Sequence, residues 1–562
     1  VDRNAFLAFA LSFLVLSLWM TYEAKNRPLP APGTVAEQQL PQQPSETTPG
    51  AVPAETPIPT PTAAPPSAAP AASAEPLEPE QTFVVEHALH RTVLTSRGAG
   101  IRHFELLQYT QPSSEGGGPV VLIDRAEVEA PALATPLLEL GFGDLATAAF
   151  RLVSSSPREV IFERTQSGVR LRKIFSFEDE TYRFRLRLEI ANEGGGAAVA
   201  PAFGVMLPVR AHPGPDFRDL TISVLSQGSV GRELLAGFGK PGFFSRQPAV
   251  EMHFQGDVEW AAAHSHYFLT AVMPDQPRDA AATLFAVRPG EEAQVTVSQP
   301  PAAILPGTSL SREYAMFFGP KEPELLAAAG AQLDRSIDLG WSWIAPLTRG
   351  FIWLLKACYS VVPNFGVAII ILTVLVRLVT APLAARQMRS MKRMSELQPK
   401  LKELQEKHKD DKQAQSQEMM KLYREAGVNP LGGCFPILLQ FPVFIGLYYA
   451  LQSSIDLRQA PFMLWINDLS RPETLFTIPG VGWPVRVLPI LMSLSMVLQQ
   501  KMTPTTSMDP VQARTMMIVM PVMFFFMFYG FPAGLVLYWF VSNLLAIAQQ
   551  VWLNRQMAPR PA

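Results

Sequence analysis

Cysteine is scarce in this chain of 562 residues: only Cys358 and Cys434, each at the edge of an apolar run. A disulfide framework is therefore not expected, and both are read as unpaired. Acid and imidazole are missing where ion-coupled transport would need them. No Asp, Glu or His falls within any of the last five long apolar runs, and all eight histidines lie outside them. Proton relays and most cation-driven transporters keep such groups inside the membrane, which argues against a pump. The chain also lacks a phosphate-binding loop, zinc-ligand spacing and a nucleophile elbow. His264 and His266, in "HSH", could offer two metal ligands from one strand face, but no third accompanies them, and they are read as an ordinary core or surface pair. A net charge of −2 gives no footprint for nucleic acid.

What the chain does have is long hydrophobic runs, and 16 of its 21 methionines from Met388 onward. Residues 1–22 hold one apolar segment with no small-residue cleavage site after it, read as an uncleaved anchor. Residues 23–82 are rich in Pro, Ala, Thr, Ser and Glu, a composition that cannot bury a core and predicts a disordered tether. Residues 83–335 carry strand signals. In "TYRFRLRLEIAN", Tyr182, Phe184, Leu186, Leu188 and Ile190 alternate with Arg183, Arg185, Arg187 and Glu189. "GVRLRKIFSF" precedes it across "EDET", which predicts an antiparallel hairpin within a large β-sandwich. Residues 336–363 mix Trp, Arg and Lys with aliphatics, as an interfacial helix would.

From residue 364 to 562 follow five apolar runs, at about 365–385, 431–451, 485–500, 515–531 and 533–553. Most reach the ~20 residues a bilayer span needs, and the third is short. With the first segment they make six spans. Between the first two of the five, residues 386–428 form a polar segment with eleven basic residues in 386–424. Positive loops stay cytoplasmic, so both termini are expected inside and residues of about 23–345 outside. Met391, Met394, Leu397, Leu401 and Leu404 recur there at spacings of three and four, and "KDDKQ" breaks the run, which predicts a hairpin of two helices.

Arg377 lies inside the run 365–385 with no acidic residue in any of these five runs to pair with it. A charge at the centre of a spanning helix costs roughly 2.5–3.5 kcal/mol on insertion scales. Uncharged polar residues remain: Thr373 one turn earlier, Gln440, Gln499, Gln500, Ser542, Asn543, Gln549 and Gln550. Two readings stand at this point. Arg377 snorkels to the cytoplasmic face, or these residues line a wet, positively charged recess.

The stretches "NPLGGCFPILLQFPVFIGLYYAL", "LRQAPFMLWINDLS", "QQKMTPTTSMDPVQARTMMIVMPVMF" and "FPAGLVLYWFVSNLLAIAQQ" closely resemble the YidC membrane protein insertases of Gram-negative bacteria, of the YidC/Oxa/Alb family. The resemblance implies a polytopic α-helical protein with a five-helix core and a periplasmic antiparallel β-supersandwich. It implies a hydrophilic groove open to cytoplasm and lipid, where Arg377 and Thr373 match family positions. Tyr538 or Trp539 would be the aromatic that meets clients, and Gln440, Ser542 and Asn543 would complete the groove. Phe444, Met520 and Phe524 would line the face along which a client helix slides into lipid. Met391, Met394 and Leu397 would mark the cytoplasmic hairpin that receives ribosomes and targeting factors. Expected partners are nascent membrane proteins, the Sec translocon with its accessory subunits, and membrane lipid, with no cofactor, no metal and no enzymatic reaction. The rivals are a solute transporter or channel with an external sensing domain, and an anchored enzyme acting on sugars.

Overall fold

The computed structural model describes residues 80–112, 117–126, 129–136, 144–200, 202–210, 220–241, 248–408, 411–426, 435–502 and 510–556. The expected anchor and nearly all of the tether lie outside them, as does Cys434, while Cys358 is a buried free thiol.

Period-two sequence builds the first half. The run Arg183–Asn192 is a strand that buries Phe184, Leu186, Leu188 and Ile190. It pairs antiparallel with Val169–Phe177, closing between Phe177 and Phe184. On the wet face Arg185 and Arg187 both reach Glu313 of the adjoining strand Ser309–Pro320. These strands sit inside a nine-stranded sheet that runs from Ser229–Leu234 at one edge to Arg151–Ser155 at the other. Two four-stranded sheets, one from Thr82 to Asp124 and one built of Phe203–Arg210, Glu251–Gln255, Ala281–Arg288 and Glu292–Gln299, contribute to the same core. Every pairing among the described residues is antiparallel. The domain is an antiparallel β-sandwich, centred on rings such as Trp260, Phe104, Phe175 and Phe184.

One inward position breaks the apolar alternation. Lys173 points into the core between Leu171 and Phe175, fully buried. Its ammonium donates to the carbonyls of Leu133 at 2.6 Å and Gly98 at 3.2 Å, and burial pulls its pKa down to about 7. His264 of "HSH" is also buried, 2.8 Å from the Ser223 hydroxyl and 3.4 Å from the Lys321 ammonium.

Helices take over after a short one, α1 (Pro323–Ala329). Then come α2 (Ala345–Val361), α3 (Phe365–Glu396), α4 (Gln398–Lys407), α5 (Lys412–Glu425), α6 (Phe435–Ser453), α7 (Val487–Met502), α8 (Pro510–Phe528) and α9 (Ala533–Gln556). The expected interfacial segment 336–363 is helical only over α2, with Trp353 on its exposed side. At Gly340, φ is +83° and a Cβ would lie 2.6 Å from the Tyr449 ring, so only glycine lets the chain pass there.

The polar segment departs from two simple arms. α3 continues past residue 385 for another three turns, so that span and first arm are one helix of about 48 Å. The arm breaks at Leu397, and Pro399, in the first turn of α4, has no N–H with which to continue the hydrogen-bond ladder of α3. Asp411 then caps α5 through the amides of Gln413 and Ala414. Among the described residues, Phe365–Arg386 and Ala533–Gln556 have the length and hydropathy of a bilayer span, while Val487–Met502 and Met517–Phe528 are apolar but shorter.

The β-sandwich and the helices touch through the 454–471 segment. Arg458 and Gln459 both donate to the Thr110 carbonyl, at 2.6 and 2.9 Å, and the Arg458 guanidinium sits 5.3 Å from the Phe268 ring centre. Nearby, the Tyr109 hydroxyl donates to Glu322 and Lys356 pairs with Glu324.

Candidate functional site: a polar cluster among apolar helices

Helical spacing of four places Tyr538 and Ser542 on one face of α9, and Thr373 and Arg377 on one face of α3. The faces meet. Arg377 donates to the Ser542 hydroxyl through Nε at 3.0 Å and Nη2 at 2.6 Å. One turn back, the Tyr538 hydroxyl accepts from Gln440 of α6 at 2.7 Å. Three helices thus converge on two hydroxyls, and α9 is the shared member.

Arg377 is half-buried, and among the described residues no carboxylate lies within ion-pair distance of it. Its hydrogen bonds both go to one neutral hydroxyl, leaving the remaining guanidinium N–H groups without a protein acceptor among the described residues. Such a group in an apolar helix needs water or an anionic visitor.

Other expected site residues fall in different places. Thr373 is fully buried and its hydroxyl is bound to the Ile369 carbonyl of its own helix at 2.6 Å, so it offers no free donor. Asn543, one residue on from Ser542, faces α7 and donates to Ser495 at 3.0 Å. Seven residues later on the same face, Gln550 donates to the Met502 carbonyl, so this stripe is an α7–α9 staple. Gln549 reaches back to the Ala381 carbonyl of α3.

The aromatic residues form a second cluster beside the polar one. Trp539 stands edge-on to Phe444 at 4.9 Å and lies 5.1 Å from Phe528 and 5.8 Å from Phe524. Tyr538 is therefore in the polar network and Trp539 in the apolar one. Phe444 and Phe524 are packing residues here, and Met520 meets Gln500. The open side of α8 carries instead Ile518, Val519, Val522 and Phe526, and that of α3 carries Leu378 and Val379. Composition alone singled out methionine and phenylalanine and missed this stripe, which helical phase would have found once one packed residue was known.

In the hairpin, Met394 is buried with Leu401 and Tyr423, and Leu397 packs beside them, so these side chains hold α3, α4 and α5 together. The side chain of Met391 lies outside the described set.

Sequence profiles match most of the chain. One described as "60Kd inner membrane protein" matches residues 357–560, and one described as "YidC periplasmic domain" matches residues 82–354. The chain is 35% identical over 483 residues to the membrane protein insertase YidC of Citrifermentans bemidjiense, covering 84% of this chain and 85% of that protein. It is 34% identical over 588 residues to that of Syntrophus aciditrophicus, covering 99% of this chain and 100% of that one. Among solved structures, an active YidC insertase with its first transmembrane domain resolved aligns with 86% of this chain and 94% of its own, at 19% identity and a TM-score of 0.35. A putative aldose 1-epimerase from Escherichia coli K12 aligns with 43% of this chain and 99% of its own, at 13% identity and a TM-score of 0.31. Kinship rests on the sequences.

Proposed function

The chain belongs to the family of YidC membrane protein insertases, and we propose that the cluster around Arg377 is the polar station past which its clients' hydrophilic segments move. It is an inner-membrane protein that acts on nascent membrane proteins among lipids, by insertion and not by an enzymatic reaction. A solute transporter or channel gains no support from these relatives.

The finer organisation belongs to the same proposal. An anchor at 1–22 and a tether at 23–82 precede a periplasmic domain at 83–335. An interfacial segment at 336–363 leads into the insertase core at 364–562. Six spans leave both termini in the cytoplasm, and the hairpin 386–428 receives ribosomes and targeting factors. The Sec translocon and its accessory subunits are partners on this reading.

One observation carries the role of Arg377: a permanent cation in an apolar helix whose hydrogen bonds, among the described residues, go to a single neutral hydroxyl. A hydrated recess would solvate its free donors and would shorten the stretch of hydrocarbon that an acidic client segment must cross. Burial of the client's own helix, at about 0.8 kcal/mol per CH₂, would drive insertion. Thr373 and Asn543 would then serve the recess by fixing α3 and α9. The client would leave along the exposed stripe of α8, with Phe444, Phe524, Trp539 and Met520 supporting the wall behind it.

The test is a photocrosslinking residue at exposed position 441, beside Gln440, during synthesis of a one-span client with an acidic tail. Capture of the client is expected, with insertion cut by roughly ten- to a hundredfold by Arg377→Ala and less by Arg377→Lys, from loss of one charge-assisted hydrogen bond of roughly 1.5–3 kcal/mol. Unchanged insertion in Arg377→Ala would sink the role given to the guanidinium.

A further inference from the structure

Ten consecutive exposed residues, Thr474 to Trp483, read "TLFTIPGVGW" and carry no charge. They form most of a small hairpin in which Phe476–Thr477 pairs with Pro484–Val485. Leu475, Phe476, Ile478, Val481 and Trp483 are each 40–71% exposed. A water-facing loop tip is expected to be polar, and a contiguous apolar patch marks a surface with a partner.

Three further features bear on what that partner is. The hairpin satisfies three of its backbone N–H groups internally. Leu475 N–H bonds the Val485 carbonyl, Ile478 N–H bonds that of Trp483, and Gly482 N–H bonds that of Ile478, while Pro479 and Pro484 bring no N–H at all. That makes it tolerable in a medium poor in hydrogen-bond partners. It is also clamped to the ends of two apolar helices. Trp483 Nε1 and the Arg486 guanidinium both bond Tyr529 just beyond α8, with Arg486 4.4 Å from that ring's centre. Glu473 accepts from the Leu488 amide at the start of α7 at 2.7 Å and from Trp465 at 2.8 Å. Finally, α7 has 16 residues, about 24 Å, against a hydrocarbon core of ~30 Å. The shortfall of about 6 Å is two residues of strand, and the hairpin ends at Val485, just before α7 begins at Val487.

We propose that the 474–485 hairpin is embedded at the headgroup–acyl boundary of the bilayer leaflet on the β-sandwich side, completing the short α7 span as an amphipathic wedge. Its partner is the lipid itself. Trp483 and Tyr529 sit where an aromatic belt forms, and Arg486 can meet lipid phosphates. The proposal rests on the reading that these helices span a membrane.

An environment-sensitive fluorophore on Val481→Cys, with Cys358 and Cys434 replaced by Ser, tests it in proteoliposomes of the full chain. Probes on Val379→Cys, within the apolar part of α3, and on Gln227→Cys, on the β-sandwich, are the references. The expected result is blue-shifted emission at position 481, quenched more by lipids with a nitroxide near the headgroup than deep in the chain. Phe476→Asp should weaken that quenching. Water-like emission quenched by iodide at 481, with lipid quenching intact at 379, would overturn the hairpin proposal alone. Blue-shifted emission insensitive to every quencher would mean protein covers the hairpin, and would also overturn it. Loss of lipid quenching at 379 as well would instead remove the spanning reading.

Discussion

Lys173 and Arg377 are both cations without a carboxylate partner among the described residues, and they meet that condition differently. Lysine can shed its proton, and at Lys173 burial has brought the pKa to about 7, so two carbonyls can be served by a neutral amine. Arginine cannot, so Arg377 stays charged and must be solvated. For Lys173 the sign follows from linkage. Between pH 7 and 10.5 the unfolded chain holds the proton and the folded chain has lost it, so stability rises with pH across that window and is lost as pH falls through it. The thermal midpoint of the β-sandwich, followed in the full chain by tryptophan fluorescence, should climb from pH 7 to 10, and Lys173→Met should flatten that climb. His90 gives the matching acid limb. Burial lowers its pKa to about 4, so its stabilisation is present above pH 6.5 and disappears as pH falls towards 4. His90→Phe should make the midpoint less sensitive to pH between 6.5 and 4.

At the scale of elements, α9 is the keystone, because it carries Tyr538, Ser542, Asn543 and Gln550 on neighbouring faces that meet α6, α3 and α7. Removing one strut should loosen one seam. Asn543→Ala should cost about 0.6–1.7 kcal/mol, typical of interhelical hydrogen bonds in membranes, read as a lower midpoint in detergent. The hairpin is held by a small apolar core, so Met394→Ala should cost about 2 kcal/mol or more. Limited proteolysis should then cut residues 397–426 faster while the β-sandwich stays resistant. Spacings of three and four made the amphipathic arms legible in sequence. The break at Leu397 was also there to be read, in Pro399, but the continuity of α3 across the expected membrane boundary was not, because helical propensity does not register where a bilayer ends.

At the scale of the molecule, the β-sandwich and the helices are joined through Arg458, which meets both the Thr110 carbonyl and the Phe268 ring. Arg458→Ala removes both contacts. Hydrogen exchange should speed up around residues 107–112 and 455–460, with the sandwich interior unchanged. Equal exchange in the two proteins would mean that Gln459 and the Tyr109–Glu322 bond hold the junction without it.

The sequence by itself determined the period-two strands, the apolar runs, the basic segment between them and the family. All of these are written in neighbouring residues, whose spacing decides burial directly. It also showed that Arg377 has no acidic partner in the apolar runs, since that follows from composition. Only the tertiary structure decided that Arg377 meets Ser542, that Thr373 spends its hydroxyl on its own helix, and that Asn543 turns to α7. It alone set Lys173 between two carbonyls and divided Tyr538 from Trp539. These outcomes depend on how far each helix or strand is rotated about its axis when it packs. That angle is set by contacts between residues distant in sequence, from 40 positions apart for Lys173 and Leu133 to 165 for Arg377 and Ser542, and local spacing does not record it.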